Sequence, residues 1–384
     1  MDSIEILQRL VAFRTVSRSP NLDLLGFVSE LLKTCGISSQ LVPSSDGHKA
    51  NLFATVGIGG GGVMLSGHTD VVPVEDQDWT SPPFTLTERA GKLYGRGTAD
   101  MKGFVACAVA AVLKASKMQL NTPLHLALSY DEEIGCIGVR SLIEMLQEAP
   151  NRPALCIVGE PTSMQVATGH KGKIGARAIC RGKEGHSALA PFALNAIYLG
   201  CDFVSALRAE QERLARDGAR DGDYDVPYTT LHVGQINAGV ALNIVPNLCQ
   251  LDFEIRNIAA DDADEILDRL RNEAARIVSA ASKIANEAAI EIEIINTYPG
   301  LDTPTNSQAV AFVKSLTGAN GTMKVAFGTE GGLFSRDLAT PTVVCGPGSM
   351  AQGHKTDEFI SVEQMGRCDD MLAKLLDRLA AGLA

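Results

Sequence analysis

Three short apolar segments, each running into histidine or acidic residues, constrain the fold of this sequence more than any other feature. The segments and the side chains that follow them are 63–65 with His68 and Asp70, 123–130 with Glu132 and Glu133, and 154–158 with Glu160. Short apolar runs bounded in this way predict buried strands. In open sheets that mix strands and helices, ligands gather outside the carboxyl ends of the strands. The pattern therefore predicts an α/β fold whose binding site lies at one edge of a sheet.

His68 and Asp70 are two residues apart, so their side chains share a face of an extended segment. His68 can then bind a metal through one ring nitrogen, while Asp70 orients the ring or its neighbourhood, as carboxylates often do near metal-bound histidines. The structural alternative is a buried histidine that is hydrogen-bonded to a nearby aspartate. The motif alone favours that alternative. The choice between it and a metal ligand depends on the residues that follow the other segments.

Asp100 follows the glycine-rich stretch Gly95-Arg96-Gly97 and precedes a helix predicted over residues 104–114. An aspartate near a helix start is typical of a helix cap, whose replacement by alanine costs about 0.5–2 kcal/mol. The glycine-rich approach and the His68 motif before it keep a metal-binding role open as well.

Asp131, Glu132 and Glu133 follow the second apolar segment directly. Three successive carboxylates repel one another unless cations or protons intervene, so a solvated acidic turn competes with a metal-binding pair. Adjacent side chains diverge, which would let one glutamate bind metal while the other faces water.

The chain of 384 residues exceeds the size, about 250–300 residues, at which one hydrophobic core stops growing. From residue 174 the patterns predict strand, helix, strand, strand, helix and strand, which is the split ferredoxin-like order. Such a unit is complete in itself. We therefore predict a catalytic domain of residues 1–173 and 298–384, interrupted by an inserted domain of residues 174–297.

Composition and motifs exclude several classes of protein. The net charge of −11 opposes a nucleic-acid or anionic-membrane partner. No apolar stretch reaches the roughly 18 residues of a membrane span, and the amino terminus lacks a signal pattern. Nine cysteines without a Cys-x-x-Cys pair favour a cytoplasmic protein. The glycine-rich run 57–62 precedes a strand rather than a phosphate-binding helix, and no nucleophile elbow is present.

The candidate ligands together are two imidazoles and three carboxylates: His68, Asp100, Glu133, Glu160 and His354. This inventory suits two zinc ions about 3.5–4 Å apart that share one carboxylate. The motifs around them resemble those of the dinuclear-zinc aminoacylase and deacylase metallopeptidases over nearly the whole chain. The matching motifs are Ser66-Gly67-His68-Thr69-Asp70, Gly95-Arg96-Gly97-Thr98-Ala99-Asp100-Met101-Lys102-Gly103 and Asp131-Glu132-Glu133.

The resemblance implies a mixed-sheet zinc-peptidase catalytic domain with an inserted ferredoxin-like α+β lid that also forms a homodimer. It implies that Asp100 bridges two zinc ions, that His68 and Glu160 complete one site, and that Glu133 and His354 complete the other. Cobalt or manganese can substitute for zinc at such ligands.

The resemblance also implies roles outside the ligand set. Glu132 would be the general base for the attacking water. Asp70, which orients the His68 ring or its neighbourhood, is predicted to be a catalytic residue as well. His186 of the inserted domain would reach the developing oxyanion in the neighbouring subunit's site. Asn243 and Arg256 would contact polar groups of an acyl-amino acid substrate.

Glu330 helps to separate two candidate substrates. Relatives that act on succinyl-diaminopimelate resemble one another in a Gly-Thr-Ser-Asp segment where this chain has Gly328-Thr329-Glu330-Gly331, which favours an acetyl substrate. A hypothesis of another class is a metal-binding scaffold without turnover. A missing metal ligand or a missing general base would favour that hypothesis. All five candidate ligands and Glu132 are present, so we favour the enzyme.

Overall fold

The computed structural model describes residues 1–150 and 152–383, which fold as two compact units. Unit 1 comprises Met1–Gly169, Leu301–Val325 and the chain from Thr329 onward. Unit 2 comprises His170–Gly300 and Ala326–Gly328. The segment 174–297, predicted as an inserted domain, lies within unit 2.

The described residues form α-helices and strands that are intermixed along the chain. The helices are α1 (Ser3–Ala12), α2 (Leu22–Thr34), α3 (Gly103–Ala115), α4 (Val139–Glu148), α5 (Ala196–Asp217), α6 (Ala263–Ala281), α7 (Gln308–Thr317), α8 (Gly331–Asp337) and α9 (Val362–Ala381). The strands are β1 (Ser39–Pro43), β2 (Ala50–Val56), β3 (Val63–His68), β4 (Thr87–Arg89), β5 (Lys92–Tyr94), β6 (Leu124–Ser129), β7 (Leu155–Pro161), β8 (Ala167–His170), β9 (Lys173–Arg181), β10 (Gly185–His186), β11 (Thr230–Ala238), β12 (Ile244–Val245), β13 (Leu248–Arg256), β14 (Ala289–Tyr298), β15 (Leu301–Asp302), β16 (Met323–Val325), β17 (Thr342–Gly346) and β18 (Phe359–Ser361). No helix among these residues is long and apolar enough to cross a membrane.

A mixed sheet forms the centre of unit 1, as the sequence predicts. Its strand order is β1-β2-β6-β3-β7-β17-β8-β15, with β16 paired to β8. The neighbours β6, β3, β7 and β17 are mutually parallel, whereas β1, β2 and β6 pair antiparallel. Every residue of β3, β6, β7 and β17 is buried. Such burial on both faces is expected of parallel strands that helices cover.

Helix α3 packs closely on this sheet and contacts β3, β6 and β7. Gly159 of β7 permits the approach, since a Cβ there would lie 1.9 Å from a ring atom of Phe104. A glycine in a strand interior often marks such a close approach. The strand that presents Glu160 is therefore fixed against the helix that follows Asp100.

Unit 2 is built on an antiparallel sheet with the strand order β11-β13-β9-β14. Helices α5 and α6 pack against it, and the chain order is the predicted strand, helix, strand, strand, helix, strand. Alternate residues of β13 are buried, as expected when one face packs on helices. Helix α5 begins at Ala196, later than the predicted residue 193, because Asn195 caps it and Leu194 pairs with Lys183 instead.

Candidate metal centre

The candidate ligands of unit 1 meet because four neighbouring parallel strands end at the same edge of the sheet. His68 closes β3 and lies opposite Ser129, the last residue of β6. Glu132 and Glu133 follow β6 directly. Glu160 lies near the end of β7, and β17 precedes the loop that carries His354. Parallel pairing thus brings together side chains that are far apart in the sequence.

Asp100 lies between the two histidines. Its Oδ1 is 3.1 Å from His68 Nε2, and its Oδ2 is 3.2 Å from His354 Nε2. Each oxygen therefore faces a different imidazole, which is the arrangement of a carboxylate that bridges two ions. The cap interpretation of Asp100 is wrong, because the N-cap residue of α3 is Lys102 and no side chain caps that helix.

The remaining ligands complete two groups around Asp100. His68 Nε2 lies 3.7 Å from Glu160 Oε1, and His354 Nε2 lies 3.0 Å from Glu133 Oε2. Ligands about 2.0–2.2 Å from one tetrahedral zinc ion lie roughly 3.3–3.6 Å from each other, and the separations here, 3.0–3.7 Å, lie on either side of that range. Ligand atoms of His68, Asp100 and Glu133 all lie within 4.8 Å of one another.

Glu132 lies close to the same group. Ligand atoms of Glu132, His68 and Glu160 also lie within 4.8 Å of one another. Its Oε1 accepts a hydrogen bond from Cys136 Sγ at 3.3 Å. The geometry thus puts Glu132 within reach of both a metal ion and its water, and mutagenesis distinguishes the two roles.

Hydrogen bonds fix the orientation of His68. Its Nδ1 is 2.9 Å from the main-chain oxygen of Asp70, which can only accept, so Nδ1 carries the proton and Nε2 faces Asp100. The Asp70 carboxylate accepts instead from the Glu132 main-chain N–H at 3.0 Å and from Ser17 Oγ at 2.8 Å. Asp70 therefore ties the end of β3 to the turn that carries both glutamates.

The site has an excess of negative charge away from bulk water. Burial raises the pKa of Glu160 and of Glu132 well above the usual range, and burial with the Asp100 charge raises the pKa of Glu133 to about 7. Hydrogen bonds that His354 donates to the Asp100 and Glu133 carboxylates raise its pKa to about 10. Burial opposes ionisation of Asp100, yet hydrogen bonds from both histidines hold its pKa below the usual range. Divalent cations would balance these carboxylates, so the donor set fits a metal pair.

Glu330 is also buried in unit 1, at the start of α8. Its Oε2 accepts from Ser66 Oγ at 3.3 Å, and Ser66 lies in β3, two residues before His68. Burial raises the pKa of Glu330 to about 7. The residue that separates the two substrate hypotheses therefore lies beside the strand that ends in His68.

The other predicted site residues belong to unit 2. His186 is exposed, and its Nδ1 accepts from the main-chain N–H of Ala188 at 3.2 Å. Asn243 is next to it, since its carbonyl accepts from Ser187 N at 3.0 Å. Unit 2 thus brings His186 and Asn243 together on one surface.

Arg256 ends β13 and is not a bare surface arginine. Its Nε and Nη2 lie 3.1 Å and 3.2 Å from the two carboxylate oxygens of Glu254, and its Nη1 donates to Tyr298 Oη at 2.8 Å. The guanidinium of Arg256 is therefore held in place by the Glu254 carboxylate and the Tyr298 hydroxyl.

Lys49 and Glu358 lie close to the centre, and no pattern in the sequence predicts a role for either residue. Lys49 forms a buried ion pair with Asp131, which also accepts from Arg18 N at 2.7 Å. Asp131 thus anchors the acidic turn, and the solvated-turn interpretation is wrong for it. Glu358 lies beneath the Asp100 loop. No local pattern distinguishes either residue, since their partners are distant in the sequence.

A mixed α/β sheet whose strand ends gather imidazoles and carboxylates around one aspartate is typical of metal-dependent hydrolases. The chain belongs to peptidase family M20/M25/M40, whose family model matches residues 64–378. Its reaction class is therefore hydrolysis of an amide bond.

Similar proteins span nearly the full chain. An acetylornithine deacetylase of Pasteurella multocida is 33% identical over 99% of this chain and 98% of its own length. An acetylornithine deacetylase of Proteus mirabilis is 33% identical over 97% of this chain and 96% of its own length.

Solved structures share the fold at lower identity. An M20 family metallo-carboxypeptidase from Sulfolobus solfataricus has a TM-score of 0.81 at 18% identity and covers 100% of both chains. A dinuclear metal-binding M20 peptidase from Bacillus subtilis has a TM-score of 0.64 at 14% identity, over 97% of this chain and 96% of its own.

Proposed function

We propose that the protein is a dinuclear zinc amidohydrolase that removes the acetyl group from N-acetylornithine, giving ornithine and acetate in arginine biosynthesis. The observation that carries this proposal is the near full-length similarity to two proteins named acetylornithine deacetylase. Glu330 supports an acetyl substrate over the succinyl-diaminopimelate alternative. The nine free cysteines are compatible with the reducing cytoplasm.

The two ions would be held as the geometry suggests. Asp100 would bridge them, His68 and Glu160 would complete one site, and Glu133 and His354 would complete the other. When bound, the ions supply Lewis acidity, which lowers the pKa of a water molecule towards about 7 and polarises the amide carbonyl. Zinc suits mixed imidazole and carboxylate ligands, and cobalt or manganese can substitute.

Glu132 is the proposed general base. Desolvation raises its pKa, which strengthens it as a base, and the Asp70 carboxylate holds its main-chain N–H. It takes a proton from the attacking water as the new C–O bond forms. It then gives that proton to the amine nitrogen as the C–N bond breaks.

His186 is proposed to stabilise the oxyanion of a second subunit's site. Because its Nδ1 accepts a main-chain N–H, the proton of the neutral ring lies on Nε2. That N–H is free to donate to developing negative charge. Asn243, its neighbour, is proposed to contact a polar group of the same substrate.

Arg256 is proposed to bind the α-carboxylate of the substrate. In this structure Glu254 occupies the fork of its guanidinium through two nearly equal contacts, so a substrate carboxylate would have to displace Glu254 or share the guanidinium with it. Tyr298 holds the remaining nitrogen and keeps the fork oriented.

The homodimer that these roles require is proposed to form through unit 2. β11 is a terminal strand of its sheet, so one edge is open. The segment after β11 carries Val240, 86% exposed, and Leu242, which is fully exposed. Open strand edges and exposed apolar side chains mark surfaces that associate.

Steady-state turnover with defined metal content tests the proposed reaction. The panel is N-acetylornithine, other N-acetyl-amino acids and succinyl-diaminopimelate, with the Glu132→Gln variant as the control for contaminating hydrolases. We expect the highest kcat/KM for N-acetylornithine, loss of activity with a chelator, and recovery with Zn²⁺. Preference for the succinyl substrate would favour the desuccinylase, and no turnover by the loaded protein would favour the scaffold.

A further inference from the structure

Glu358 is a buried carboxylate beneath the loop that carries Asp100. The exposed fraction of Glu358 is only 1%. Its Oε1 accepts hydrogen bonds from the main-chain N–H groups of Ala99 at 2.8 Å and of Asp100 at 3.1 Å. Its Oε2 accepts from the N–H of Gly97 at 2.9 Å. One side chain thus holds three donors of a single short loop.

Arg96 balances this carboxylate and connects it to a second ligand loop. Arg96 is also 1% exposed, and its Nη1 lies 2.7 Å from Glu358 Oε2. The same nitrogen donates to the main-chain oxygen of Lys355 at 3.2 Å, and Nη2 donates to Gln77 at 2.8 Å. Since Lys355 follows His354 directly, the ion pair contacts the loops of two proposed ligands.

The loop needs this partner because it is not regular helix. Asp100 has φ −126° and ψ 94°, and Met101 has φ −132° and ψ 33°. Asp100 also precedes α3, which begins at Gly103, so its main-chain N–H lies outside the hydrogen-bond ladder of that helix, and a buried N–H without an acceptor is costly. Glu358 supplies that acceptor at the residue whose two oxygens face His68 and His354.

We propose that Glu358, held by Arg96, is a positioning residue that fixes the main chain of Asp100 so that its carboxylate faces both metal sites at once. This inference rests on the proposed metal centre. Glu358 itself contacts neither of the two histidines in the hydrogen bonds described above; it acts through the Asp100 main chain. Partners of this kind typically change metal affinity by about 10–100-fold when they are mutated.

The test variant is Glu358→Gln, which keeps the size of the side chain but removes its charge and one acceptor. The matched control is Asp369→Asn, because Asp369 is a carboxylate of α9 that accepts from Ser3 Oγ at 2.6 Å, away from the centre. Zinc affinity is measured on folded apoprotein by competition with a chromophoric chelator. The visible spectrum of Co²⁺-loaded protein reports ligand geometry at saturation, and thermal unfolding of apoprotein reports the fold.

We expect Glu358→Gln to weaken zinc binding by about 10–100-fold and to change the Co²⁺ spectrum, while Asp369→Asn changes neither. Zinc affinity and a Co²⁺ spectrum equal to those of the wild type would overturn the inference, whatever the change in unfolding temperature. If Glu358→Gln does not fold, Arg96→Lys is measured in its place, because it loses the fork that joins Glu358 to Lys355. The same wild-type values in Arg96→Lys would also overturn it.

The wild-type protein separates this failure from failure of the proposed function. A wild-type chain that binds no zinc refutes the metal centre, and the positioning role with it. A wild-type chain that binds two ions but does not hydrolyse N-acetylornithine refutes the proposed substrate only. The expected loss of affinity in Glu358→Gln would then still support the positioning role.

Discussion

Unit 1 and unit 2 both pack helices on a sheet, but they use their strands differently. In unit 1 the parallel strands are buried along their whole length, and the candidate ligands lie at or just beyond the strand ends. In unit 2 the strand β13 alternates, and its partly exposed face carries Asp252, Glu254 and Arg256 among ordinary surface residues. The candidate ligands of unit 1 are therefore concentrated at one edge, whereas the residues proposed to act in unit 2 are dispersed over a surface.

The comparison is tested most strongly by removing groups from the edge of unit 1. Asp100→Ala should lose both ions and turnover, because one carboxylate serves both proposed sites. Glu132→Ala should keep two ions and lose about 10²–10⁴-fold in kcat, the usual contribution of a general base. Bound-metal analysis with steady-state kinetics measures both. If Glu132→Ala is metal-free and Glu133→Ala is fully loaded, the two glutamates have exchanged roles.

A single residue on the surface of unit 2 should have a smaller effect on turnover. His186→Ala should keep both ions and lose about 10²–10³-fold in kcat, because one oxyanion donor is removed. Mixing inactive His186→Ala with inactive Glu132→Ala should restore activity, since a heterodimer has one site with both groups intact. Subunit exchange is verified by mass, and an exchanged mixture without activity would contradict the role in trans.

Arg256→Lys should act on substrate binding alone. A lysine keeps the charge but cannot form two parallel bonds to a carboxylate. We expect KM to rise about tenfold for N-acetyl-amino acids, which corresponds to a loss of about 1.4 kcal/mol in binding, with little change for acyl-amines that lack the carboxylate. Equal rises for both kinds of substrate would show that Arg256 does not recognise the carboxylate.

A further prediction concerns stability rather than turnover and compares two buried histidines. Carboxylates outweigh burial and raise the pKa of His68 in unit 1, whereas burial lowers the pKa of His170 in unit 2 to about 4. In the unfolded chain His170 binds a proton below about pH 6.5, whereas in the folded protein it binds one only below about pH 4. Between pH 6.5 and 4 the unfolded state therefore binds more protons than the folded state. Stability should therefore fall as the pH decreases through this range, by about 3 kcal/mol from His170.

Denaturant unfolding of metal-free protein between pH 4 and 7.5 measures this contribution. The His170→Gln variant should have a shallower pH dependence than the wild type between pH 6.5 and 4. Equal slopes in the two proteins would mean that His170 is protonated to the same extent when folded and unfolded.

The difference between the strand ends of unit 1 and the surface of unit 2 also explains which site residues could be predicted from the sequence. His68, Glu133 and Glu160 follow apolar runs, so strand pattern and parallel pairing were enough to place them at one edge. The pairing of Arg96 with Glu358 spans 262 positions of the chain and leaves no local pattern, so it could not be found. The roles of His186, Asn243 and Arg256 stay predictions, since a dispersed polar surface has no periodic signature.

The distances along the chain between the ligands also have a consequence for biosynthesis. Glu133 and His354 are 221 positions apart, and Arg96 closes on Glu358 over 262. A nascent chain therefore exposes His68 and Asp100 early but cannot assemble the second ligand group until the last strands have left the ribosome. On the proposed ligand assignment, binding of the second ion is a late event of maturation, coupled to docking of the carboxy-terminal segment. Chains that end before His354 would then lack a proposed ligand of the second ion and would not retain that ion.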